Sequence, residues 1–214
     1  MPLQEDQSGY IDRIWGRSIR KALEKFDVTL SQKQSGQECV RAPIRDDAGK
    51  YVGQAEWTLD TNDMDANADR LHGILHRCES LMPTYSFLTR APIVYNADRA
   101  AQSLRRIQSL IIVANLPTVW WLWCCGFDNV VAWLAPNIRC YNSKINEKIL
   151  AQSRHYLLLS GTDSRSEEWA IGVFTGLGTL HPVRWGRAPG LSEASTLTGE
   201  EIVELIRSMS TDEP

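Results

Sequence analysis

The stretch from Ile107 to Phe127, IQSLIIVANLPTVWWLWCCGF, carries no charged residue and constrains the fold more than any other part of the chain. Roughly 20 apolar residues are enough for a helix to cross a bilayer. A spanning helix needs a continuous apolar surface, however, and Asn115 and Pro117 interrupt this run at its centre. The mean hydropathy of the whole chain is −0.29. We therefore interpret the run as the core of a water-soluble protein.

The two halves of this run predict two separate elements. The first half, SLIIVA, is rich in β-branched residues and predicts a short buried strand. The second half, TVWWLWCC, contains Thr, Val and three Trp, which favour a strand over a buried helical turn. GFDN is typical of a turn, and VVAWLAP is a further apolar run that Pro136 ends. The sequence therefore predicts a hairpin across Gly126–Asn129.

The rest of the N-terminal half predicts helices and a second hairpin. Apolar residues at helical spacing predict amphipathic helices over Tyr10–Phe26 and over about Asp65–Leu81. CVRAPIR and YVGQAEWTL flank DDAGK, which suits a tight reversal and predicts a hairpin. APIVYN is a short strand candidate, and Asn96 is a candidate cap for a helix that extends to about Gln108.

The C-terminal half predicts two helices, two strands and a long loop. A helix is expected after Asn142 or Ser143, followed by the strand HYLLLS and then the strand EWAIGVFTG. The region Gly176–Thr196 is rich in Gly, Pro, Ser and Arg and predicts an irregular functional or packed loop. The final helix has a capping box made by Thr198 and Glu201, with Leu197 and Ile202 as its hydrophobic staple.

These elements together predict an α+β fold, a single-domain mixed β-sheet with about five helices packed on it. A three-layer α/β sandwich is the alternative. At 214 residues the chain is within the range of one large domain. We expect flexible tails at residues 1–9 and 211–214 and a single domain over residues 10–210.

Charge and cysteine content narrow the class of protein. The formal net charge of −3 argues against a surface built entirely to attract phosphate backbones. The chain has five cysteines, an odd number, and two of them are adjacent, so they do not suit a framework of structural disulfides. The N-terminal MPLQEDQSGY resembles neither a secretory signal nor a transit peptide. We therefore expect a cytoplasmic protein.

Histidines and cysteines suggest weak candidates for chemistry. His72 and His76 are four residues apart on a predicted helix, with Cys78 close by, which is a possible start of a metal site. No third ligand is indicated, so we predict no metal and no cofactor. Cys124 and Cys125 lie among tryptophans and are interpreted as core residues rather than nucleophiles. Cys140 is more open to reaction, because it is expected in a loop beside Arg139.

The segment TGLGTLHPVRWGR has more features of a binding site than any other segment. Its two glycines and its histidine, arginines and tryptophan suit the binding of a phosphate or the stacking of a base. The predicted binding residues are Gly176, Gly178, His181, Arg184, Trp185 and Arg187. A packed loop with solvated arginines is the alternative, and the cationic face of the first helix is a second candidate surface.

Three functions remain open at this point. Eight tryptophans together with many arginines favour a protein that binds another macromolecule, such as a subunit, an inhibitor or an accessory factor. This hypothesis leads, with a protein partner expected, nucleic acid possible but not favoured, and no membrane. One alternative is an enzyme for a nucleotide or phosphorylated substrate, with His181 as acid or base and Arg184 and Arg187 holding the anion. The other is single-stranded nucleic-acid binding, which predicts a steep dependence on salt.

Overall fold

The computed structural model describes residues 19–32, 37–46, 48–59, 77–78, 81–87, 94–134, 149, 151–178, 182–187 and 199–211. The helices described are α1 Ile19–Lys25, α2 Ala97–Ile107, α3 Leu116–Cys124, α4 Ser164–Gly178 and α5 Gly199–Thr211. The strands described are β1 Thr29–Gln32, β2 Glu38–Arg45, β3 Tyr51–Leu59, β4 Thr84–Phe87, β5 Val94–Tyr95, β6 Ser109–Val113, β7 Val130–Trp133, β8 His155–Ser160 and β9 Val183–Arg187. The predicted α+β class with about five helices is confirmed, although the strands form two sheets.

The first sheet is antiparallel, with the strand order β1-β2-β3-β4. Its central pair, β2 and β3, is the hairpin that the sequence predicted. The Asp46 carboxylate holds the turn, because one oxygen accepts the N–H of Ala48 at 3.0 Å and that of Lys50 at 2.9 Å. Gly49 follows with φ +80°, a backbone conformation that glycine adopts without strain.

The second sheet has five strands in the order β5-β7-β6-β8-β9. Strands β7, β6, β8 and β9 are mutually parallel, and β5 lies antiparallel to β7 at one edge. The predicted strands SLIIV and HYLLLS are confirmed as β6 and β8. Their burial on both faces explains why they are apolar at nearly every position.

The second half of the charge-free run is a helix, α3, so the predicted strand and hairpin are wrong. Asn115 is the N-cap, and Pro117 occupies the first turn, where no N–H is needed for the helix. Strand β7 follows α3 but pairs parallel to β6, so GFDN connects a helix to a strand. Trp120, Trp121 and Trp123 suggested a strand because tryptophan is enriched in strands, and the sequence alone did not show that this segment is buried on nearly all sides.

Helix α3 lies between the two sheets and is buried on nearly all sides. Eight of its nine residues are buried: Leu116, Pro117, Thr118, Val119, Trp120, Trp121, Leu122 and Cys124. Trp120 contacts Trp57 of the antiparallel sheet edge-on, with ring centres 5.8 Å apart. The Trp120 indole N–H also donates to the Tyr95 hydroxyl at 2.9 Å. Among the described residues, no helix is both long enough and apolar enough to span a membrane.

Helices cover both faces of the five-stranded sheet. Helices α2 and α4 pack on the face formed by Leu110, Ile112 and Leu158. Helices α3 and α5 pack on the opposite face, which includes Ile111 and Leu157. The predicted final helix is confirmed as α5, while Leu197 and Thr198 of its proposed cap lie outside the described residues.

The segment EWAIGVFTG belongs to helix α4, so the predicted strand is wrong. Ala170, Val173 and Leu177 recur at helical spacing and pack on the sheet. Ile171 and Phe174 point outward instead, and these exposed apolar residues made the segment resemble a buried strand. Part of the predicted loop after Gly176 is also regular, since Val183–Arg187 forms β9.

The remaining predicted helices are only partly described. Ile19–Lys25 is helical, as predicted, while residues 1–18 lie outside the description. Most of the helices predicted over Asp65–Leu81 and after Asn142 also lie outside it. Asn96 precedes α2 as predicted, but its side chain makes no cap bond and donates to the Val130 carbonyl at 2.8 Å.

Replacing Asn115 with alanine tests the start of α3. The Asn115 side-chain oxygen accepts the N–H of Thr118 at 2.8 Å and the Thr118 hydroxyl at 2.7 Å. Without the Asn115 side-chain oxygen, the N–H and the hydroxyl of Thr118 lose their acceptor. We therefore expect Asn115→Ala to lower the free energy of unfolding by about 1 kcal/mol. Urea denaturation followed by tryptophan fluorescence measures the change. Asn115→Asp keeps an acceptor and should be nearly neutral; equal losses for both variants would contradict the capping role.

Cys125 directly follows α3, and its reactivity tests how well the protein covers this end of the helix. Burial raises the pKa of its thiol to about 12. Because the thiolate is the reactive form, we expect alkylation of Cys125 by iodoacetamide at pH 8 to be at least about tenfold slower in the folded protein than in urea. Mass spectrometry of the peptide that contains Cys125 gives both rates, and equal rates would contradict the prediction.

Candidate functional site

The carboxyl ends of four parallel strands meet at one edge of the five-stranded sheet. The last printed pair of β6 and β8 is Ile112 with Leu158, and the same register continued by two residues brings Ala114, which directly follows β6, level with Ser160. Ser160 is in turn paired with Arg187 at the end of β9. We call the row Ala114, Ser160 and Arg187 the carboxyl edge. In open α/β sheets ligands bind beyond the carboxyl ends of the strands, so this edge is the first place to look for a site.

Two helices begin at the carboxyl edge. Asn115 caps α3 directly after β6, and Asp163 precedes α4, which follows β8. One oxygen of the Asp163 carboxylate accepts the N–H of Ser166 at 2.9 Å. The other accepts the Ser166 hydroxyl at 2.5 Å. Both oxygens of Asp163 are therefore engaged within the first turn of its own helix.

A cation lies over an aromatic ring at the end of β9. The guanidinium carbon of Arg187 is 4.1 Å from the centre of the Trp185 ring. The same guanidinium forms an ion pair with Glu167 of α4 at 3.1 Å. About half of the Arg187 side chain, 49%, is nevertheless exposed. Two contacts thus orient a cation that still faces solvent.

The Trp185 ring is held by its own contacts. Its indole N–H donates to the Ser160 hydroxyl at 2.8 Å. The ring of Phe174 packs against it with centres 5.9 Å apart. Ile171, which is 53% exposed, lies on the same stretch of α4 between Glu167 and Phe174. We call Glu167, Ile171, Phe174, Trp185 and Arg187 together the α4–β9 surface.

The structure brings together two of the predicted binding residues, Trp185 and Arg187. Gly176 and Gly178 are in the last turn of α4, so they do not form the glycine loop that the sequence suggested. Arg184 faces the opposite side of the sheet, where its guanidinium donates to the Met209 carbonyl of α5. His181 lies outside the described residues.

Three residues of this surface, Glu167, Ile171 and Phe174, were not predicted. Their steps of four and three residues place them on one face of a helix, but this signal is useful only once α4 is recognised as helical. Two other tryptophans that the structure describes, Trp57 and Trp169, are engaged elsewhere. Trp57 is buried, and Trp169 donates to the Trp133 carbonyl at 3.1 Å, while Trp15 is not described.

The weak metal candidates His72, His76 and Cys78 stay untested, because only Cys78 lies among the described residues. Cys78 is buried, and His72 and His76 lie outside the described residues, as does Cys140. Within the described part of the chain, no three His, Cys, Asp or Glu side chains are grouped as metal ligands would be.

Comparisons with known proteins identify the fold through structure alone. No protein-family model matches the sequence, and no curated protein sequence matches it. The zinc-binding and RNA polymerase domains of the Aquifex aeolicus primase match with a TM-score of 0.66 over 97% of this chain, at 15% identity. A DnaG primase catalytic domain bound to single-stranded DNA matches with a TM-score of 0.62 over 97% of this chain, at 13% identity. The RNA polymerase domain of Mycobacterium tuberculosis DnaG in complex with double-stranded DNA matches with a TM-score of 0.59 over 95%, at 12% identity.

This chain spans 56% of the Aquifex primase structure, 75% of the single-stranded DNA complex and 78% of the Mycobacterium domain. The fold that it shares with them is that of primase catalytic domains. The leading hypothesis of an accessory protein with a protein partner is therefore wrong, as is the expectation that nucleic acid is not favoured. The net charge of −3 argued against nucleic acid, but the net charge of a whole chain does not show where a single exposed cation such as Arg187 lies.

Proposed function

We propose that this chain binds single-stranded nucleic acid, with Arg187 of the α4–β9 surface as a principal contact. The supporting observation is the likeness of 97% of the chain to primase catalytic structures, one of them bound to single-stranded DNA. The local support is a solvent-facing cation at the carboxyl edge of the parallel sheet. We also propose that the chain works in the cytoplasm, with which the reduced state of the described cysteines Cys39, Cys78, Cys124 and Cys125 agrees.

Arg187 is suited to both parts of a nucleotide. Its guanidinium is a planar fork that matches the geometry of a phosphate. A base can also stack on a guanidinium plane, as single-stranded recognition commonly requires. Trp185 covers one side of the Arg187 guanidinium at 4.1 Å, so a base would stack on the other side. The exposed rings and alkyl groups of Phe174 and Ile171 extend the apolar area beside it.

The contacts of Arg187 lower the conformational cost of binding. A free arginine loses rotamer freedom when it is immobilised at an interface, at a cost of roughly 0.5–1.5 kcal/mol. Trp185 and Glu167 already restrict the Arg187 guanidinium, and the Ser160 hydroxyl in turn fixes the Trp185 indole. The strand end therefore presents the cation in one orientation before ligand arrives.

Glu167 also opposes binding, because its carboxylate competes with a phosphate for Arg187. The Glu167 side chain is 38% exposed and would lie close to any phosphate on this surface. Arg165, exposed in the first turn of α4, adds a second cation near the same end of the helix. The balance of these charges predicts moderate affinity that depends strongly on salt.

The first test removes the cation. We expect Arg187→Gln to weaken binding of a fluorescein-labelled oligodeoxynucleotide about threefold to tenfold, measured by anisotropy at low salt. The slope of log K against log salt should become shallower by about 0.7 for the one lost phosphate contact. Arg154→Gln is the matched control, since Arg154 is exposed at the amino end of β8 and carries the same charge. Equal losses for both variants would show a non-specific charge effect and contradict the proposed contact.

The second test removes the competing carboxylate. We expect Glu167→Gln to tighten binding about twofold to fivefold at low salt, because the neutral amide no longer competes with phosphate for Arg187. The gain should disappear in the double variant with Arg187→Gln. An unchanged or weaker affinity for Glu167→Gln alone would mean that the ion pair, rather than the free guanidinium, is what the ligand needs.

A further inference from the structure

The side chains at the carboxyl edge do not have the chemistry that a polymerase-type metal site needs. Polymerases act through two divalent metal ions that stabilise the attacking and leaving oxygens. Such ions are bound by carboxylate oxygens, mostly of Asp and Glu. The fold that this chain shares with primase catalytic domains makes the carboxyl edge the place to test for those ligands.

Neutral side chains occupy the positions where two strands could share an ion. Ala114 directly follows β6, and continuing the β6–β8 register past Ile112 and Leu158 brings it level with Ser160 at the end of β8. Adjacent strands lie about 4.8 Å apart. Carboxylates at these two positions would be near enough to bind one cation together. A carboxylate at the position of Thr162, which is exposed two residues beyond Ser160, could add a third ligand from the same loop. A methyl group and two hydroxyl groups stand there instead.

Two carboxylates that the structure describes near this edge, Asp163 and Glu167, are already engaged. Both oxygens of Asp163 accept hydrogen bonds from Ser166 in the first turn of α4. Glu167 is paired with Arg187, whose positive charge would oppose a metal ion beside it. The described residues at the carboxyl edge thus favour an anionic ligand over a divalent cation.

We infer that the carboxyl edge of this chain holds no divalent metal pair, and that the chain binds nucleic acid without divalent metal. The second part rests on the proposed function, while the first part stands without it. A primase-like fold therefore serves here for binding rather than for metal-dependent nucleotidyl transfer at this edge.

The experiment restores carboxylates at the three neutral positions. The acidic variant carries Ala114→Glu, Ser160→Asp and Thr162→Asp, and its matched control carries Ala114→Gln, Ser160→Asn and Thr162→Asn. Electron paramagnetic resonance measures the free Mn²⁺ in titrations of the wild type and of both variants. Thermal unfolding checks that each variant is folded. If the triple variants do not fold, a double variant with Ala114→Glu and Thr162→Asp replaces them, because it leaves the buried Ser160 unchanged.

We expect the acidic variant to bind Mn²⁺ at least about tenfold more tightly than the wild type or the amide control. Wild-type affinity for the oligodeoxynucleotide should be the same in Mg²⁺ and in EDTA at matched ionic strength.

Mn²⁺ binding by the wild type as tight as that of the acidic variant would overturn the inference, as would a loss of oligonucleotide binding in EDTA. If the acidic variant folds but binds Mn²⁺ no more tightly than the wild type, positions 114, 160 and 162 are not placed to share a divalent ion, and this part of the inference is overturned. Absence of oligonucleotide binding under every condition would instead reject the proposed function and leave the Mn²⁺ result standing.

Discussion

Burial of helix α3 on nearly all sides is the constraint on which the rest of the fold depends. A helix that is apolar on all sides cannot face water on any of them, so it must be covered from more than one direction. The antiparallel sheet supplies Trp57 on one side, and the five-stranded sheet covers the other. The Trp120 indole still needs an acceptor in this dry environment, and the Tyr95 hydroxyl provides it. Burial of this hydroxyl also raises the pKa of Tyr95, which remains neutral.

The same arrangement creates the candidate site. Because β6 enters α3 at Asn115 and β8 enters α4 at Asp163, the ends of adjacent parallel strands open toward the same edge. Helix α4 then returns along the sheet and places Glu167 beside the end of β9. Strand β9 contributes Trp185 and Arg187 on the side that faces α4. A cation oriented by two neighbours is thus a consequence of sheet order and not of any local motif.

Errors in the sequence-based predictions have a common physical cause. The strand prediction for the second half of the charge-free run failed because a fully buried helix and a buried strand are both continuously apolar. The prediction for EWAIGVFTG failed because Ile171 and Phe174 are exposed, which hides the helical pattern of Ala170 and Val173. The hairpin around Asp46 was predicted correctly, since strand composition and turn chemistry agree there.

The sequence by itself determined the elements whose local signals agree: the β2–β3 hairpin, the strands β6 and β8, and the C-terminal helix. It also indicated Trp185 and Arg187 among six candidate binding residues, because glycine, histidine, arginine and tryptophan in one segment suit the binding of a phosphate or a base. Only the tertiary structure decided that Arg184 serves α5 while Arg187 faces solvent, since successive residues of a strand point to opposite faces of the sheet. Only the pairing of strands that are distant in the sequence placed Ala114 level with Ser160. Contacts of this range depend on the packed whole, and no local pattern in the chain encodes them.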